Sequence, residues 1–201
     1  MQDTLIIVGA GGHGKVVADI AENVGYHNIV FVDPNSEKKS CGRYPVVGTN
    51  DMINDLQGDI IVAIGNALMR KKTLESLSGR RIPTLIHPDA VVADDVVIGK
   101  GTVVMAGAVI NSGTQIGKGC IINTCASVDH DCVIEDYVHV SIGVHIAGTV
   151  TIQENTWIGA GAVVSNNITI QQDCMIGAGA VVIKNIERAG TYVGVPAAQI
   201  K

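Results

Sequence analysis

Residues 86–187 read, in blocks of six, IHPDAV VADDVV IGKGTV VMAGAV INSGTQ IGKGCI INTCAS VDHDCV IEDYVH VSIGVH IAGTVT IQENTW IGAGAV VSNNIT IQQDCM IGAGAV VIKNIE. All seventeen blocks begin with Ile or Val, from Ile86 to Val182, without a slip in register. A period of six fits neither the 3.6-residue period of a helix nor the two-residue alternation of a continuous strand. It is typical of a solenoid in which short strands alternate with turns.

The fifth residue of each block is a second candidate for the interior, because it is usually small or β-branched. Examples are Ala90, Thr102, Ala108, Ala126, Ala162 and Ala180. Cys120, Cys132 and Cys174 occupy the same place, so we interpret them as buried thiols and not as disulfides or zinc ligands. A catalytic role for Cys125 is the weaker alternative.

The composition agrees with a narrow interior, since hydrophobic residues make up 47% of the chain but aromatic residues only 3%. The net charge is −5, and no basic patch with interleaved aromatic residues occurs, which argues against a nucleic-acid partner. The apolar runs are too short to span a bilayer and no signal peptide is recognisable. We therefore expect a soluble cytoplasmic protein without a membrane span.

The first residues of the chain have the pattern of a nucleotide-binding fold. An apolar strand, Thr4 to Val8, leads into the glycine-rich string GAGGHG at residues 9–14, and helical spacing follows from Lys15 to Val24. Glycines in this context let backbone N–H groups approach a phosphate at a helix N-terminus. The alternative is a tight turn without a ligand. A second strand, Ile29 to Val32, ends at Asp33, where an acidic residue contacts the ribose in nucleotide folds.

The pattern continues with a turn at Pro45 to Gly48, a short helix at Asp51 to Leu56 and a third strand at Asp59 to Ile64. Gly65 and Asn66 follow this strand, and Ala67 to Leu77 has the spacing of a helix. This is one half of a doubly wound sheet, whereas dinucleotide-binding domains have two halves. A mononucleotide-type ligand such as a nucleotide sugar is therefore favoured over NAD. We predict a half-Rossmann α/β domain at 1–85, a parallel β-helix at 86–187 and a tail at 188–201.

The best chemical constellation of the solenoid is the block VDHDCV at residues 128–133. His130 stands third in its block, near a corner, where it should face outward. Asp129 and Asp131 flank it, and a turn at the corner would let a carboxylate reach the ring. A neighbouring carboxylate raises the basicity of an imidazole, as a general base for acyl transfer requires. The alternative is a solvated histidine beside surface carboxylates.

Two further histidines, His139 and His145, both stand sixth in their blocks. They should lie at equivalent places on adjacent faces of one coil, which argues against a metal site made from this pair. We expect no metal ion.

Several motifs together resemble those of one family. They are GAGGHG at 9–14, VAIGN at 62–66, NT at 123–124, DHDCVI at 129–134, HVSIG at 139–143 and VGVPA at 193–197. In this order they resemble the hexapeptide-repeat sugar acetyltransferases, which join a small nucleotide-binding domain to a left-handed parallel β-helix. The group includes bacillosamine N-acetyltransferases, perosamine N-acetyltransferases and sialic acid O-acetyltransferase-type proteins. The handedness follows from this resemblance.

The resemblance implies a role for individual residues of the solenoid. His130 would be the general base and Asp131 would orient it. Asn123 would line the acceptor site. The coenzyme would be contacted by His139, the backbone N–H of Gly148, Ala160 and Ala178, with the loop 194–197 near its adenine.

The resemblance also implies roles in the N-terminal domain and an assembly. Gly11, Gly12 and His13 would hold the phosphates of a nucleotide sugar, Asp33 would lie by the uridine, and Gly65 and Asn66 would border the same pocket. Members of the family are trimers with the coenzyme in the groove between two β-helices.

The expected activity is the transfer of acetyl from acetyl-CoA to the amine of a UDP-linked 4-amino-4,6-dideoxy sugar of the bacillosamine type, in bacterial surface glycan synthesis. GDP-perosamine is an alternative acceptor. Pro34 follows Asp33 where some members of the family have a second acidic residue, so the resemblance does not decide between UDP and GDP. The sequence is also compatible with O-acetylation of a sialic acid-type sugar, with a non-catalytic nucleotide-binding scaffold and with a nicotinamide dehydrogenase.

Overall fold

The computed structural model describes residues 4–201, and the chain divides into two compact units, Met1–Pro88 and Asp89–Lys201. The boundary lies three residues beyond the predicted end of the first domain. Residues 188–201, which were predicted to be a separate tail, belong to the second unit.

The first unit alternates strands and helices. Its elements are β1 (Thr4–Val8), α1 (Gly12–Asn23), β2 (Asn28–Val32), β3 (Ser40–Cys41), β4 (Tyr44–Gly48), a 3₁₀ helix (Asn50–Asp55), β5 (Asp59–Val62), α2 (Ala67–Ser76) and β6 (Leu85–Ile86). Five strands form a sheet in the order β3-β4-β2-β1-β5. β1 is buried along Leu5 to Val8 because it pairs in parallel with β2 on one side and β5 on the other. The strand order therefore reverses at β1, and ligands bind outside the carboxyl ends of the strands at such a point.

The predicted turn at Pro45 to Gly48 is wrong, because these residues lie in strand β4, Tyr44–Gly48. Two β-branched residues in the segment, Val46 and Val47, favour extended backbone. Pro45 has no N–H to donate, but it is tolerated because it faces only the two-residue edge strand β3. The sheet consequently has two strands more than the half-sheet read from the sequence.

The second unit is a parallel β-solenoid with three faces. The first face contains β7 (Val91–Val92), β10 (Val109–Ile110), β13 (Ser127–Val128), β16 (His145–Ile146), β19 (Val163–Val164) and β22 (Val181–Val182). The second contains β8 (Val97–Ile98), β11 (Gln115–Ile116), β14 (Val133–Ile134), β17 (Thr151–Ile152) and β20 (Thr169–Ile170). The third contains β9 (Val103–Val104), β12 (Ile121–Ile122), β15 (His139–Val140), β18 (Trp157–Ile158), β21 (Cys174–Ile176), β23 (Gly190–Val193) and β24 (Ala198–Gln199).

Each strand pairs with the strand one coil away, so Val109 pairs with Ser127, eighteen residues later. The predicted parallel β-helix is thereby confirmed. The end of the chain does not leave the repeat at once, because β23 pairs in parallel with β21 and β24 then reverses against β23. No helix within residues 4–201 combines the length and the apolar character needed to cross a membrane.

The six-residue block explains both the interior and the turns. Its first residue is fully buried through the middle of the solenoid, as at Val128, Val140 and Ile152. The predicted thiols Cys120, Cys132 and Cys174 are buried in the fifth place, as expected. From Gly101 to Gly179 the fourth residue has a left-handed backbone, and where it is not glycine it is Cys125, Asp131, Tyr137, Thr149, Asn155, Asn167 or Asp173.

Candidate active site

The turns between the first and second faces form one edge of the solenoid, here called the His130 corner. It stacks residues 112–113, 130–131, 148–149 and 166–167 of successive coils. Backbone hydrogen bonds join them, since Asp131 N–H donates to Ser112 O at 3.1 Å and Thr149 N–H donates to His130 O at 2.9 Å. The backbone that carries His130 is thus fixed by the coils on either side.

His130 and Asp131 are paired at this corner. The Nδ1 atom of His130 lies 2.8 Å from Oδ2 of Asp131, and both side chains are more than half exposed. The left-handed backbone of Asp131, with φ of 57°, turns its carboxylate back toward the preceding ring. Because an ionised carboxylate only accepts hydrogen bonds, Nδ1 must carry the proton, and Nε2 of the neutral ring keeps its lone pair. The hydrogen bond to Asp131 and then the charge of Asp129 raise the pKa of His130 above its ordinary value.

Gly148 lies against the imidazole from the next coil. A Cβ on Gly148 would come within 2.5 Å of Nε2 of His130, so a side chain at this position would occupy the place of the ring. The N–H of Gly148 donates to no group among residues 4–201, whereas its carbonyl accepts from Asn167. The basic nitrogen of His130 therefore lies against a residue whose N–H is free to bind a ligand.

The turns between the third and first faces form a second edge, the Asn123 corner, which stacks residues 123–125, 141–143, 159–161 and 177–179. Nδ2 of Asn123 lies 3.2 Å from Nε2 of His139, and the ring of His139 stacks on Trp157 with 5.5 Å between centroids. Trp157 in turn donates to the hydroxyl of Ser141 at 2.6 Å. Spacing alone had not indicated Trp157 or Ser141. The sequence feature that could have indicated Trp157 is its position eighteen residues after His139, which places the two residues side by side on paired strands.

The candidate residues of the solenoid therefore fall into two groups. His130, Asp131 and Gly148 lie at one corner, while Asn123, His139, Ala160 and Ala178 lie at or beside the other. Within one chain, the structure does not bring Asn123 to His130. His139 and His145 lie on different faces, as predicted, and His145 contacts Ser127. No cluster of three or more metal-ligating side chains occurs among residues 4–201.

In the first unit, the glycine loop, Asp33 and the Gly65–Asn66 pair follow β1, β2 and β5 respectively, so all three lie at the carboxyl edge of adjacent strands. Gly11 is the N-cap of α1 in extended backbone, and a Cβ on Gly11 or Gly12 would meet nothing within 4 Å. The start of α1 is therefore open to a ligand, and its first turn carries no acidic residue that would repel an anion.

Asp33 has a different local role from the one expected. Its carboxylate accepts from Ala10 N–H at 2.8 Å, from Asn35 N–H at 3.1 Å and from Lys38 Nζ at 3.1 Å. Burial by itself raises the pKa of Asp33, but these hydrogen bonds and the charge of Lys38 bring it below its ordinary value. Asp33 thus holds the glycine loop in place, and its contact with a uridine stays a prediction. The sequence reading missed Lys38.

The fold gives His13 and Asn66 different local surroundings, one buried and one at a helix N-terminus. Burial, and then the charge of Arg70, lower the pKa of His13 to about 4, so the ring is neutral near pH 7. Nε2 of His13 is buried and has no hydrogen-bond partner within the described residues 4–201. Arg70 itself is buried and donates to the carbonyls of Ile64 and Gly65, both at 2.8 Å. Asn66 caps α2 by accepting from Met69 N–H.

Comparison with known proteins gives two family matches. Residues 4–77 match the PglD N-terminal domain, and residues 95–130 and 149–184 match the bacterial transferase hexapeptide family of six repeats.

Two relatives of known activity are similar in sequence. The UDP-N-acetylbacillosamine N-acetyltransferase of Bacillus subtilis (strain 168) is 38% identical over 108 residues, which are half of this chain and half of the relative. The GDP-perosamine N-acetyltransferase of Escherichia coli O157:H7 is 33% identical over 163 residues, 76% of this chain and 74% of the relative.

Two solved structures are similar over nearly their whole length. The acetyltransferase domain of PglB from Neisseria gonorrhoeae FA1090, in complex with acetyl coenzyme A, is 41% identical, covers 100% of both chains and has a TM-score of 0.97. PerB from Caulobacter crescentus, in complex with CoA and GDP-perosamine, is 34% identical, covers 98% of this chain and 97% of its own, and has a TM-score of 0.92.

Proposed function

Because the chain belongs to the hexapeptide-repeat sugar N-acetyltransferases with a PglD-type N-terminal domain, we propose that it transfers acetyl from acetyl-CoA to the amine of a nucleotide-linked amino sugar. The observation that carries the proposal is the pair formed by His130 and Asp131 at 2.8 Å, with Nε2 of the ring against Gly148, whose N–H donates to no group among residues 4–201. A base and an oxyanion donor at one place are what acyl transfer to an amine requires.

The proposed reaction is direct and forms no acyl-enzyme. The sugar nitrogen attacks the thioester carbonyl while Nε2 of His130 takes a proton from that nitrogen. The N–H of Gly148 holds the negative charge that develops on the carbonyl oxygen. The C–N bond forms, the C–S bond breaks, and the proton on His130 passes to the leaving sulfur. Asp131 keeps Nδ1 protonated throughout, so that Nε2 is the atom that exchanges protons.

The coenzyme is proposed to lie along the Asn123 corner of a second copy of the chain. Support comes from the separation of the two candidate groups, since His130 and Asn123 occupy different corners of one coil. In a trimer, the His130 corner of one chain would face Asn123, His139, Ala160 and Ala178 of its neighbour. A cavity of about 280 Å³ at the end of the solenoid, lined by Lys184, Pro196 and Ala197 among others, lies where the adenine is expected.

The acceptor is proposed to be held through its phosphates by Gly11, Gly12 and His13. The open start of α1 supports this, because its N–H groups can bind an anion without any side chain. A UDP-linked 4-amino-4,6-dideoxy sugar of the bacillosamine type is the favoured acceptor.

The test is thiol release from acetyl-CoA with a panel of acceptors, comprising UDP- and GDP-linked 4-amino sugars and sialic acid. We expect release with a nucleotide-linked amino sugar, and the preferred nucleotide identifies the acceptor. Release only with sialic acid would replace N-acetylation by O-acetylation, and ligand binding without release would indicate a scaffold.

His130→Ala should lower kcat by roughly 10²–10⁴-fold, because a positioned general base contributes about that factor. His27→Ala, at an exposed histidine of the first unit, is the matched control and should leave kcat unchanged. Circular dichroism checks that both variants are folded. Near-full activity of folded His130→Ala would remove the ring from its proposed role.

A further inference from the structure

A second carboxylate, that of Asp129, is built into the turn that carries His130. Its Oδ1 atom accepts from the backbone N–H of His130 at 2.8 Å and from Nδ2 of Asn111 at 2.8 Å. Asn111 lies in the previous coil, where its own N–H donates to the carbonyl of Val128. The side chain of Asp129 therefore ties the N–H of His130 to a neighbouring coil.

With this contact, the N–H and the carbonyl of His130 and the N–H of Asp131 are all hydrogen-bonded. The carbonyl of His130 accepts from Thr149, and the N–H of Asp131 donates to Ser112. The His130 N–H would be left to solvent without Asp129. The remaining freedom is in the side chain of His130, which Asp131 holds at Nδ1 and Gly148 accommodates at Nε2.

We propose that Asp129, oriented by Asn111, is a positioning residue for acetyl transfer that fixes the backbone of His130 and places a second negative charge beside the imidazole. The proposal rests on the proposed function, because it assigns Asp129 a part in the work of His130. It differs from the role of Asp131, since Asp129 acts on the backbone and through its charge and does not hydrogen-bond the ring.

Few ionisable groups surround His130, so the effect of the Asp129 charge on the pKa of His130 can be measured. On the turn itself, Asp129 and Asp131 are the ionisable neighbours, and the charge of Asp129 is the second cause of the raised pKa of His130. The stacked turns at 111–113 and 148–149 carry no titratable side chain. The buried thiol of Cys132 lies 3.6 Å from the carbonyl of His130, and burial raises its pKa, so it stays neutral.

The experiment compares Asp129→Ala, Asp129→Asn and Asn111→Ala with the wild-type chain. The matched control is Asp173→Asn, because Asp173 also accepts from an asparagine one coil earlier, Asn155, at 3.2 Å but away from His130. For each protein, kcat, both KM values and the pH dependence of kcat/KM are measured. The pKa of His130 is measured by NMR titration of the imidazole, assigned with His130→Gln.

We expect Asp129→Ala to lower kcat by roughly 10–100-fold with both KM values within about twofold, because the base is misplaced while binding is intact. Loss of the charge lowers the pKa of His130, so the acid limb of kcat/KM moves to lower pH. Asp129→Asn keeps an oxygen that can accept from His130 N–H, so it should recover most of kcat but retain the shifted limb. Asn111→Ala should lower kcat less than Asp129→Ala, and Asp173→Asn should match the wild type.

Unchanged kcat and an unchanged His130 pKa in Asp129→Ala would overturn the proposal, as would equal losses in the Asp173→Asn control. If Asp129→Ala does not fold, Asp129→Asn and the NMR titration decide, because the amide preserves the shape of the turn. If the wild-type chain releases no thiol with any acceptor, the proposed function fails. The NMR titration then still tests Asp129, and an unchanged His130 pKa in Asp129→Asn overturns the inference.

Discussion

At the scale of single residues, the His130 corner depends on an absent side chain as much as on those present. Gly148 stands third in its block, where the other blocks at this corner have Asp94, Ser112, His130, Asn166 and Lys184. Its backbone is not left-handed, so glycine is needed here for space and not for conformation. The third place is small in this coil because the ring of His130 lies over it.

Gly148→Ala should therefore displace the imidazole. The added methyl would lie 2.5 Å from Nε2, and the ring must rotate away from Gly148. A displacement of about 1 Å can cost on the order of 10²-fold, so we expect kcat to fall by roughly 10–100-fold at unchanged stability. Steady-state kinetics and thermal unfolding measure the two effects. The control is Asn166→Ala, at the same place one coil further, which should leave kcat unaffected. Gly161→Ala is not a suitable control, because Gly161 has a φ of 66° and alanine there would strain the backbone.

His13 leads to a prediction about stability and pH. Its pKa is about 4 in the folded chain because of burial, below the ordinary value of about 6.5. Between these values the unfolded chain binds a proton that the folded chain does not, so stability falls as pH is lowered from about 6.5 to about 4. At pH 5 the first unit should lose about 2 kcal/mol relative to pH 7. Hydrogen exchange of α1 measures this, and His13→Gln should remove the difference.

At the scale of secondary-structure elements, threonines and cysteines connect the turns of successive coils inside the solenoid. Thr102, Thr114 and Thr156 stand in the fifth place, and each accepts from the N–H of the cysteine one coil later, at 2.9, 3.1 and 3.3 Å. Each hydroxyl also donates to a carbonyl, that of Asp129 in the case of Thr114. At these three places alanine would leave the buried N–H of the cysteine unpaired.

Thr114→Val and Thr156→Val should each destabilise the solenoid by about 1–3 kcal/mol, because an isosteric methyl leaves a buried N–H without a partner. Only Thr114→Val should also lower kcat, severalfold, since Thr114 holds the carbonyl of Asp129 next to His130. Guanidinium unfolding and kinetics below the unfolding transition separate the two effects. Equal activity in both variants would show that the interior contact does not reach the site.

At the scale of the whole molecule, the chain consists of two compact units, and each carries different candidate site residues. The solenoid carries His130, Asp131 and the Asn123 corner, whereas the first unit carries the glycine loop. We therefore expect residues 89–201, expressed alone, to fold as a β-solenoid and to bind CoA, but to have lost affinity for the nucleotide part of the acceptor. Calorimetry with CoA and with UDP measures both. A truncated solenoid with an unchanged KM for the nucleotide sugar would contradict the assignment of the phosphates to the first unit.

The sequence alone determined the repeat, because a six-residue block is a local property in which each strand and turn is read directly from its own residues. It also predicted the strand–glycine loop–helix at Thr4 to Val24, whose helix in the structure is Gly12–Asn23, and the thiols of the interior. It missed β4, where β-branched residues outweighed the proline, and the buried Arg70 behind the loop. The family resemblance pointed to His130, but it did not establish whether Asp131 reaches the ring.

Only the tertiary structure decided how the candidate residues meet. The contact of His130 with Asp131 depends on a left-handed fourth residue. The contacts of Asp129 with Asn111 and of His130 with Gly148 join different coils. The tertiary structure also places Asn123 and His139 at a different corner from His130. In the first unit, it brings the carboxylate of Asp33 into hydrogen-bond contact with the glycine loop. The physical reason is that burial follows from a residue's place in the block, whereas a side chain's partners are set by the turns stacked on either side of it.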